Sequence, residues 1–447
     1  MTSIIGNWQI ILILLIGAAL RFYNLGFIPG PIFDEVFYPD FALSYLKGEP
    51  FFSVHPPLGS YILAVGIYIY DLIPWVEGID LSSAQLDQIN PLSFRWIGAL
   101  AGVILIYVGY KLAIEMLDKK RLALLVALFL ALDGSLMVDS RIGIINIYLC
   151  LFGFMAILFF VKGLKNSEPR SLIFSSLLLG AVISVKWNGL GFWLTLLSFS
   201  LLFFFLSRKQ TSFDHKYQIS KVASFVLYFF APFFIYLLFW LPEILDSEYS
   251  LIDKHFQMIS YHFENADQKD HPYSSAWYTW PFMIRPIGYF FDSETLVGED
   301  GSSIEFYSAI HLLPNPALSL LAFCAVIILT FKWIEILARP VSNLRLSKDT
   351  YAISLILLGY YSNFLPWAIA SRSTFIYHYQ PAAVFSFFAL AFLLHKLFIK
   401  NKFENKLLYY LALSLVCISA IYWLPIHLGL EITSENFYAR MWFSSWI

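Results

Sequence analysis

Apolar runs of about 20 residues recur along almost the entire chain, and that length is what an α-helix needs to cross the hydrocarbon core of a bilayer. They are centred in Trp8–Leu25, Leu92–Tyr110, Leu122–Met137, Ile145–Val161, Leu172–Val185, Gly191–Leu206, Val222–Leu241, Ala317–Ile334, Tyr351–Ile369, Phe375–Leu394 and Leu407–Trp423. Backbone groups in lipid must be satisfied internally, which leaves only helices or closed barrels. No short alternating segments of the kind a barrel requires run through these stretches. The expected fold is therefore all-α, a polytopic membrane protein of about eleven spans. A twelfth apolar segment, Leu58–Tyr70, is too short to span and starts at a Pro-Pro pair, so it is expected to lie along the membrane face.

Charge distribution orients the spans. Cytoplasmic loops carry the Lys/Arg excess, and with the N-terminus inside, nineteen of the 29 cations fall on inner loops: Lys111 and Lys119–Arg121; Lys162, Lys165 and Arg170; Arg208, Lys209, Lys216 and Lys221; Lys332, Arg339, Arg345 and Lys348; Lys396, Lys400, Lys402 and Lys406. The others, Arg21, Lys47, Arg95, Arg141, Lys186, Lys254, Lys269, Arg285, Arg372 and Arg440, fall at or near the outer face. The net charge of −2 gives no reason to expect a nucleic-acid partner. Cys150, Cys324 and Cys417 each lie in an apolar run and read as small core residues rather than a disulfide framework or zinc site. The first run has no basic n-region or small-residue cleavage site and is expected to be a retained span. The chain divides into an N-terminal membrane module, 1–245, with a first outer loop at 27–91; an outer loop, 246–315; and a C-terminal membrane module, 316–447.

Five polar stretches converge on the outer face in this arrangement: "FDEVFYPDF", "HPPLGS" with "LSFRW", "DGSLMVDSRIGIIN", "SVKWNGLGF" and "PWAIASRSTFIYHYQP". Carboxylates beside cations at a water–lipid boundary suit transfer of a sugar from a lipid phosphate. An acceptor hydroxyl needs a base, and Arg or Lys would hold the phosphate and stabilise the charge it acquires on leaving. A phosphate can depart without a proton, so one base plus cations is sufficient. Each group also has a plainer reading. Asp34 and Glu35 fit the first turn of a solvated helix; Arg95 could snorkel; Lys186 beside Trp187 fits an interfacial belt; Asp139 and Arg141 could pair with each other; Asp133 could merely end a span. His55 is held extended by Pro56 or contacts the acceptor.

The stretches "FDEVFYPDFALSYLKGEPFFSVHPPLG", "SVKWNGL" and "FIYHYQPA" resemble the protein O-mannosyltransferases, polytopic enzymes of glycosyltransferase C architecture. The resemblance implies inverting transfer of mannose from polyprenyl-phosphate mannose to Ser/Thr of a translocated polypeptide at the cytoplasmic membrane, with the site facing out. It implies Asp34 and Glu35 as the catalytic pair, the first as base and the second as an acceptor-orienting or supporting group, with Arg95 and Lys186 on the donor phosphate. Arg141 and Arg372 are further candidate phosphate ligands, and His55, Asp139, Tyr377 and His378 candidate acceptor or sugar contacts. No obligatory cofactor or metal is expected; the chain's partners would be the lipid-linked donor, the polypeptide acceptor, membrane lipid and the secretion machinery. Ser60 stands where the family usually has Lys, and the outer loop 246–315 is too short for the β-trefoil modules of eukaryotic members, so the resemblance is to a bacterial, module-free type. Two other readings remain open: a related transferase with a lipid or glycan acceptor or another sugar, and a transporter or flippase. The latter would show repeated spans and midplane charges, and neither is visible in the sequence.

Overall fold

A computed structural model describes residues 8–207, 226–246, 250–264, 271–297, 299, 302–339 and 347–447. In chain order its helices are α1 (Trp8–Phe22), α2 (Tyr38–Lys47), α3 (Leu58–Asp71), α4 (Leu92–Leu117), α5 (Lys120–Leu132), α6 (Gly134–Ser140), α7 (Asn146–Asn166), α8 (Pro169–Val185), α9 (Leu190–Ser207), α10 (Ala231–Asp246), α11 (Leu251–Glu264), α12 (Pro316–Leu337), α13 (Lys348–Phe364), α14 (Gln380–Ile399), α15 (Phe403–Leu428) and α16 (Ser434–Tyr438). Among the described residues eight helices are long and apolar enough to cross a membrane, nine if α5 and α6 count as one bent span. The apolar helices α1 and α8 are shorter. All eleven expected spans coincide with one of these elements, although residues 222–225 of one lie outside the described residues, as do Arg208, Lys209, Lys216, Lys221, Lys269 and Arg345. This is a multi-pass membrane protein. The short segment expected at Leu58–Tyr70 forms α3, packed on α4 where Trp96 Nε1 donates to the Gly66 carbonyl at 3.1 Å.

The helix ends follow local chemistry. Asn315 caps α12 by accepting from the Leu318 N–H, and Ser347 caps α13 by accepting from Thr350 N–H. Pro169, Pro316 and Pro381 sit in first turns, where the missing N–H is not needed. Of the three cysteines expected in the core, only Cys150 is buried; Cys324 is exposed on α12 and Cys417 is intermediate. A helix in lipid gains nothing from burying a small apolar residue, so an apolar run does not reveal which face points inward.

The loop between α10 and α12 holds the feature the apolar pattern did not foretell. Strands β1 (Ile287–Val297) and β2 (Ser303–Leu312) form an antiparallel hairpin, joined on its β2 edge by β3 (Glu431–Thr433). A register irregularity between Gly288 and Phe290 interrupts the hairpin at its α12-proximal end, next to Tyr289, which points into the bundle and is buried.

One expected span is broken. Asp133 ends α5 and caps α6 by accepting from Leu136 N–H at 2.9 Å, and the two helices diverge by 60°. The carbonyls released at the break are claimed by buried polar groups: Arg21 donates to Leu130 at 3.0 Å, and Asn315 Nδ2 to Leu132 at 3.4 Å. Reciprocally, Arg141 at the end of α6 donates through Nη1 to the Leu20, Arg21 and Tyr23 carbonyls at the end of α1. Cations at helix C-termini satisfy both the orphan carbonyls and the helix dipole.

The bend is tight at Gly134. A Cβ there would lie 2.2 Å from His427 Nε2 and 2.3 Å from the Leu313 carbonyl. Gly134→Ala should therefore destabilise the protein by about 1–3 kcal/mol through overpacking, read as a lower melting temperature of the purified protein in detergent; an unchanged melt would show that the bend yields without strain.

Candidate active site

The site is assembled where chain segments turn at one end of the bundle. After α1 the chain makes a short 3-10 turn, Phe33–Val36. Glu35 within it is 0% exposed and its carboxylate is saturated: Oε1 accepts from Arg95 Nε at 2.8 Å and Gly143 N–H at 2.7 Å, Oε2 from Arg95 Nη2 at 2.7 Å and Ile32 N–H at 2.9 Å. Arg95, from the first turn of α4, places its remaining donors on the carbonyls of Leu25, Ile28 and Gly30. All five of its N–H groups are thus engaged. In this geometry Arg95 serves as an internal clamp, and a phosphate reaching it would have to displace a bidentate carboxylate from a site only 2% exposed. Arg141 places its Nη1 on the carbonyls of Leu20, Arg21 and Tyr23 at the end of α1. It forms no ion pair with Asp139 among the described residues.

Asp34, the adjacent carboxylate, is held differently. It is half-buried, and its side chain makes no hydrogen bond among the described residues. Burial pushes its carboxyl above the ordinary range, and the charge of Lys186 partly offsets that. Phe33 beside it has φ +49°, a left-handed conformation that a bulky residue adopts only when its surroundings impose it. Its ring stacks on Tyr289 of β1 at 4.1 Å.

Lys186 lies in an extended backbone position between α8 and the 3-10 turn Trp187–Gly189. Its buried Nζ donates to Asn146 Oδ1 at 2.7 Å and lies over the rings of Tyr377 at 5.3 Å and Tyr38 at 5.8 Å. Asn146 in turn donates through Nδ2 to Asp139 at 3.0 Å, and Asp139 also accepts from Tyr289 Oη at 2.7 Å and Gln380 Nε2 at 2.6 Å. Asp139 thus orients the lysine through an amide, and ties α6, α7, the hairpin and α14 together.

On the other side, the His55 ring stacks on Tyr38 and faces His262 of α11, with centroids 6.2 and 5.9 Å away. Burial and the nearby cations Lys186 and Arg372 lower His55 well below its usual value. Burial likewise lowers His262 to about 4. His378 packs against Tyr377 and Trp367, with centroids 4.5 and 4.1 Å away, and Arg372 Nη2 stands 3.5 Å from its Nε2. Arg372 is not fully buried and belongs to no ion pair among the described residues.

The fold therefore brings Asp34, His55, Asp139, Lys186, Arg372, Tyr377 and His378 into one cluster and leaves Glu35, Arg95 and Arg141 behind it. Tyr38, Asn146, His262, Tyr289 and Gln380 belong to the cluster and were not singled out from the sequence. Asn146 and Gln380 had a signal, each a polar amide at the mouth of an apolar run; Tyr289 had none, because the hairpin that carries it was not visible. Among the described residues no three His, Cys, Asp or Glu side chains converge as a metal site.

Residues 11–246 match the family described as dolichyl-phosphate-mannose-protein mannosyltransferase, and residues 247–446 match the C-terminal four TMM region of protein-O-mannosyltransferase. The chain belongs to the protein O-mannosyltransferase family. It is 25% identical to the polyprenol-phosphate-mannose–protein mannosyltransferase of Mycolicibacterium smegmatis, across 96% of this chain and 91% of that protein. To its counterpart in Mycobacterium tuberculosis it is 22% identical, across 97% and 91%. In fold it is similar to a chain of the Saccharomyces cerevisiae Pmt1–Pmt2 complex bound to the sugar donor, with a TM-score of 0.80 at 15% identity over 100% of this chain and 93% of that one.

In this mannosyltransferase-family chain the two neighbouring carboxylates should separate cleanly in stability measurements. Glu35→Ala strands the Arg95 guanidinium in a buried site and should cost about 3–5 kcal/mol, whereas Asp34→Asn, which breaks no hydrogen bond seen here, should melt within a degree or two of the parent. Equal melting of the two variants would remove the clamp.

Proposed function

We propose that the chain is a polyprenyl-phosphate-mannose:protein O-mannosyltransferase, moving mannose from a lipid-phosphate donor to the hydroxyl of Ser or Thr in a polypeptide. The observation that carries the reading is Asp34: a carboxylate without a hydrogen-bond partner among the described residues, aimed by the saturated Glu35–Arg95 pair behind it and set in the field of Lys186. The names of the mycobacterial relatives, which cover nearly the whole chain, support the sugar, the carrier and the protein acceptor.

The proposed reaction is a single displacement. The acceptor oxygen attacks the anomeric carbon, the bond from that carbon to the phosphate oxygen breaks, and polyprenyl phosphate leaves with the electron pair. Asp34 takes the hydroxyl proton. Lys186 and Arg372 stabilise the charge gathering on the phosphate, which is preorganised electrostatic stabilisation rather than acid catalysis. Asp139, through Asn146, keeps the Lys186 ammonium pointed at that charge, and His55 and His378, both packed against aromatic rings, shape the sugar and acceptor side. In the proposed topology the N-terminus is inside the cytoplasmic membrane and the site faces outward, so the acceptor arrives unfolded from the secretion machinery.

Purified protein given radiolabelled polyprenyl-phosphate mannose and an unstructured Ser/Thr-rich peptide should yield label released by β-elimination. Asp34→Asn should lower turnover by about 10²–10⁴-fold, the usual contribution of a positioned base. Label on lipid alone would change the acceptor; no label with several donor sugars would return the transporter reading.

The pH profile supplies a second check. Asp34 works only as the carboxylate, and burial raises its pKa, so kcat/KM should fall as pH drops through a limb lying above the ordinary carboxylate range. The limb belongs to Asp34 only if the residual activity of Asp34→Asn lacks it.

A further inference from the structure

A second feature lies at the opposite end of the bundle. Helix α4 carries Arg95 in its first turn and runs 26 residues, about 39 Å at 1.5 Å per residue, before the chain reverses through Asp118 into α5. That length exceeds the roughly 30 Å hydrocarbon core, so the start of α5 sits at the other membrane face. There, between α1, α5 and α15, an open groove of about 390 Å³ is walled by Ile13, Leu124, Leu128 and Leu413 and has Arg121 at its rim. Helix surfaces beside it are apolar and exposed, including Leu12, Ile16 and Leu408, as lipid-facing surfaces are.

The rim is strongly cationic. Residues 118–121 and 400–406 carry Lys119, Lys120, Arg121, Lys400, Lys402 and Lys406 against only Asp118 and Glu404. The two segments meet at one aromatic ring: the Arg121 guanidinium lies 3.5 Å from the Phe398 centroid and Lys406 Nζ 5.7 Å from it, while Tyr409, which lines the groove, packs on the same ring at 5.0 Å. Neither Arg121 nor Lys406 forms an ion pair among the described residues. A cation stacked on an aromatic face keeps its N–H edge available to an oxyanion.

We propose that this groove is a binding site for one anionic glycerophospholipid, with an acyl chain along Ile13, Leu124, Leu128 and Leu413 and its phosphate against Arg121 and Lys406. The apolar wall selects a lipid over a soluble phosphate, and the charge imbalance selects an anionic headgroup over a zwitterionic one. The site is independent of the transfer reaction, because none of its residues touches the cluster around Asp34.

Native mass spectrometry of the full chain in detergent, titrated with phosphatidylglycerol or with phosphatidylcholine of the same acyl chains, tests this. One phosphatidylglycerol should bind saturably and at least tenfold more tightly than phosphatidylcholine, since each cation contributes on the order of 1 kcal/mol. Arg121→Gln with Lys406→Gln should weaken phosphatidylglycerol binding roughly thirtyfold. Leu128→Trp should fill the groove and weaken it with the cations intact, and soluble glycerol 3-phosphate should fail to compete. Equal binding of the two lipids, variants that bind like the parent, competition by glycerol 3-phosphate, or a dimer in place of a lipid adduct would each overturn the proposal. If the double variant does not fold, the comparison of the two lipids on the unaltered chain still decides the charge requirement.

Discussion

The buried pair between Glu35 and Arg95 is the interaction on which the outer end of this protein depends. Two full charges removed from water are tolerated only if their remaining donors and acceptors are also met, and here they are: four donors reach one carboxylate, and five N–H groups find five acceptor contacts. The consequence is geometric. The chain leaving α1, the first turn of α4 and the loop at Gly143 are pinned to one point, and the residue preceding Glu35 has little freedom in where it faces. A left-handed Phe33 stacked on Tyr289 completes the constraint from the other side.

That saturation separates two kinds of buried charge that look alike in the sequence. Arg21, Arg95 and Arg141 all sit at or near span ends, and each is occupied by carbonyls at a helix terminus or by a carboxylate. They stabilise the breaks and turns of the bundle. Asp34 and Arg372 are not occupied in this way, while Lys186 has a neutral amide partner that orients it and leaves its charge unneutralised. Chemistry belongs to groups of the second kind, because only a charge not already cancelled can respond to charge developing on a substrate.

The bend at Asp133 and the hairpin contribute to the same end. A straight span through residues 120–140 would carry Asp139 on along the axis of α5. The 60° bend turns α6, so that Asp139 meets Asn146, Tyr289 and Gln380 in one knot. The break leaves carbonyls without helical partners, and Arg21 and Asn315 satisfy them. Local helix geometry is relinquished there, and buried polar contacts from distant segments offset it.

Much of this protein is legible in one dimension. Segment length against bilayer thickness dictates the spans, Lys and Arg placement suggests their direction, and "FDE", "SVKW" and "FIYHY" announce a polar cluster at one face, because lipid imposes the same requirement on every residue of a span. The division of labour among the charged groups was not legible. Whether an arginine at a span end faces a substrate or a carbonyl depends on which distant segment stands opposite it, as Arg95 shows with partners from 60 to 70 residues away. The hairpin that delivers Tyr289 escaped for a related reason: strand pairing is a contact between segments, and it leaves no periodic mark when neither face of the strand is uniformly buried. Solvent preference, which acts on each residue separately, was determined by the sequence; which charges are cancelled and which remain was decided only when the tertiary structure set the groups within hydrogen-bonding distance.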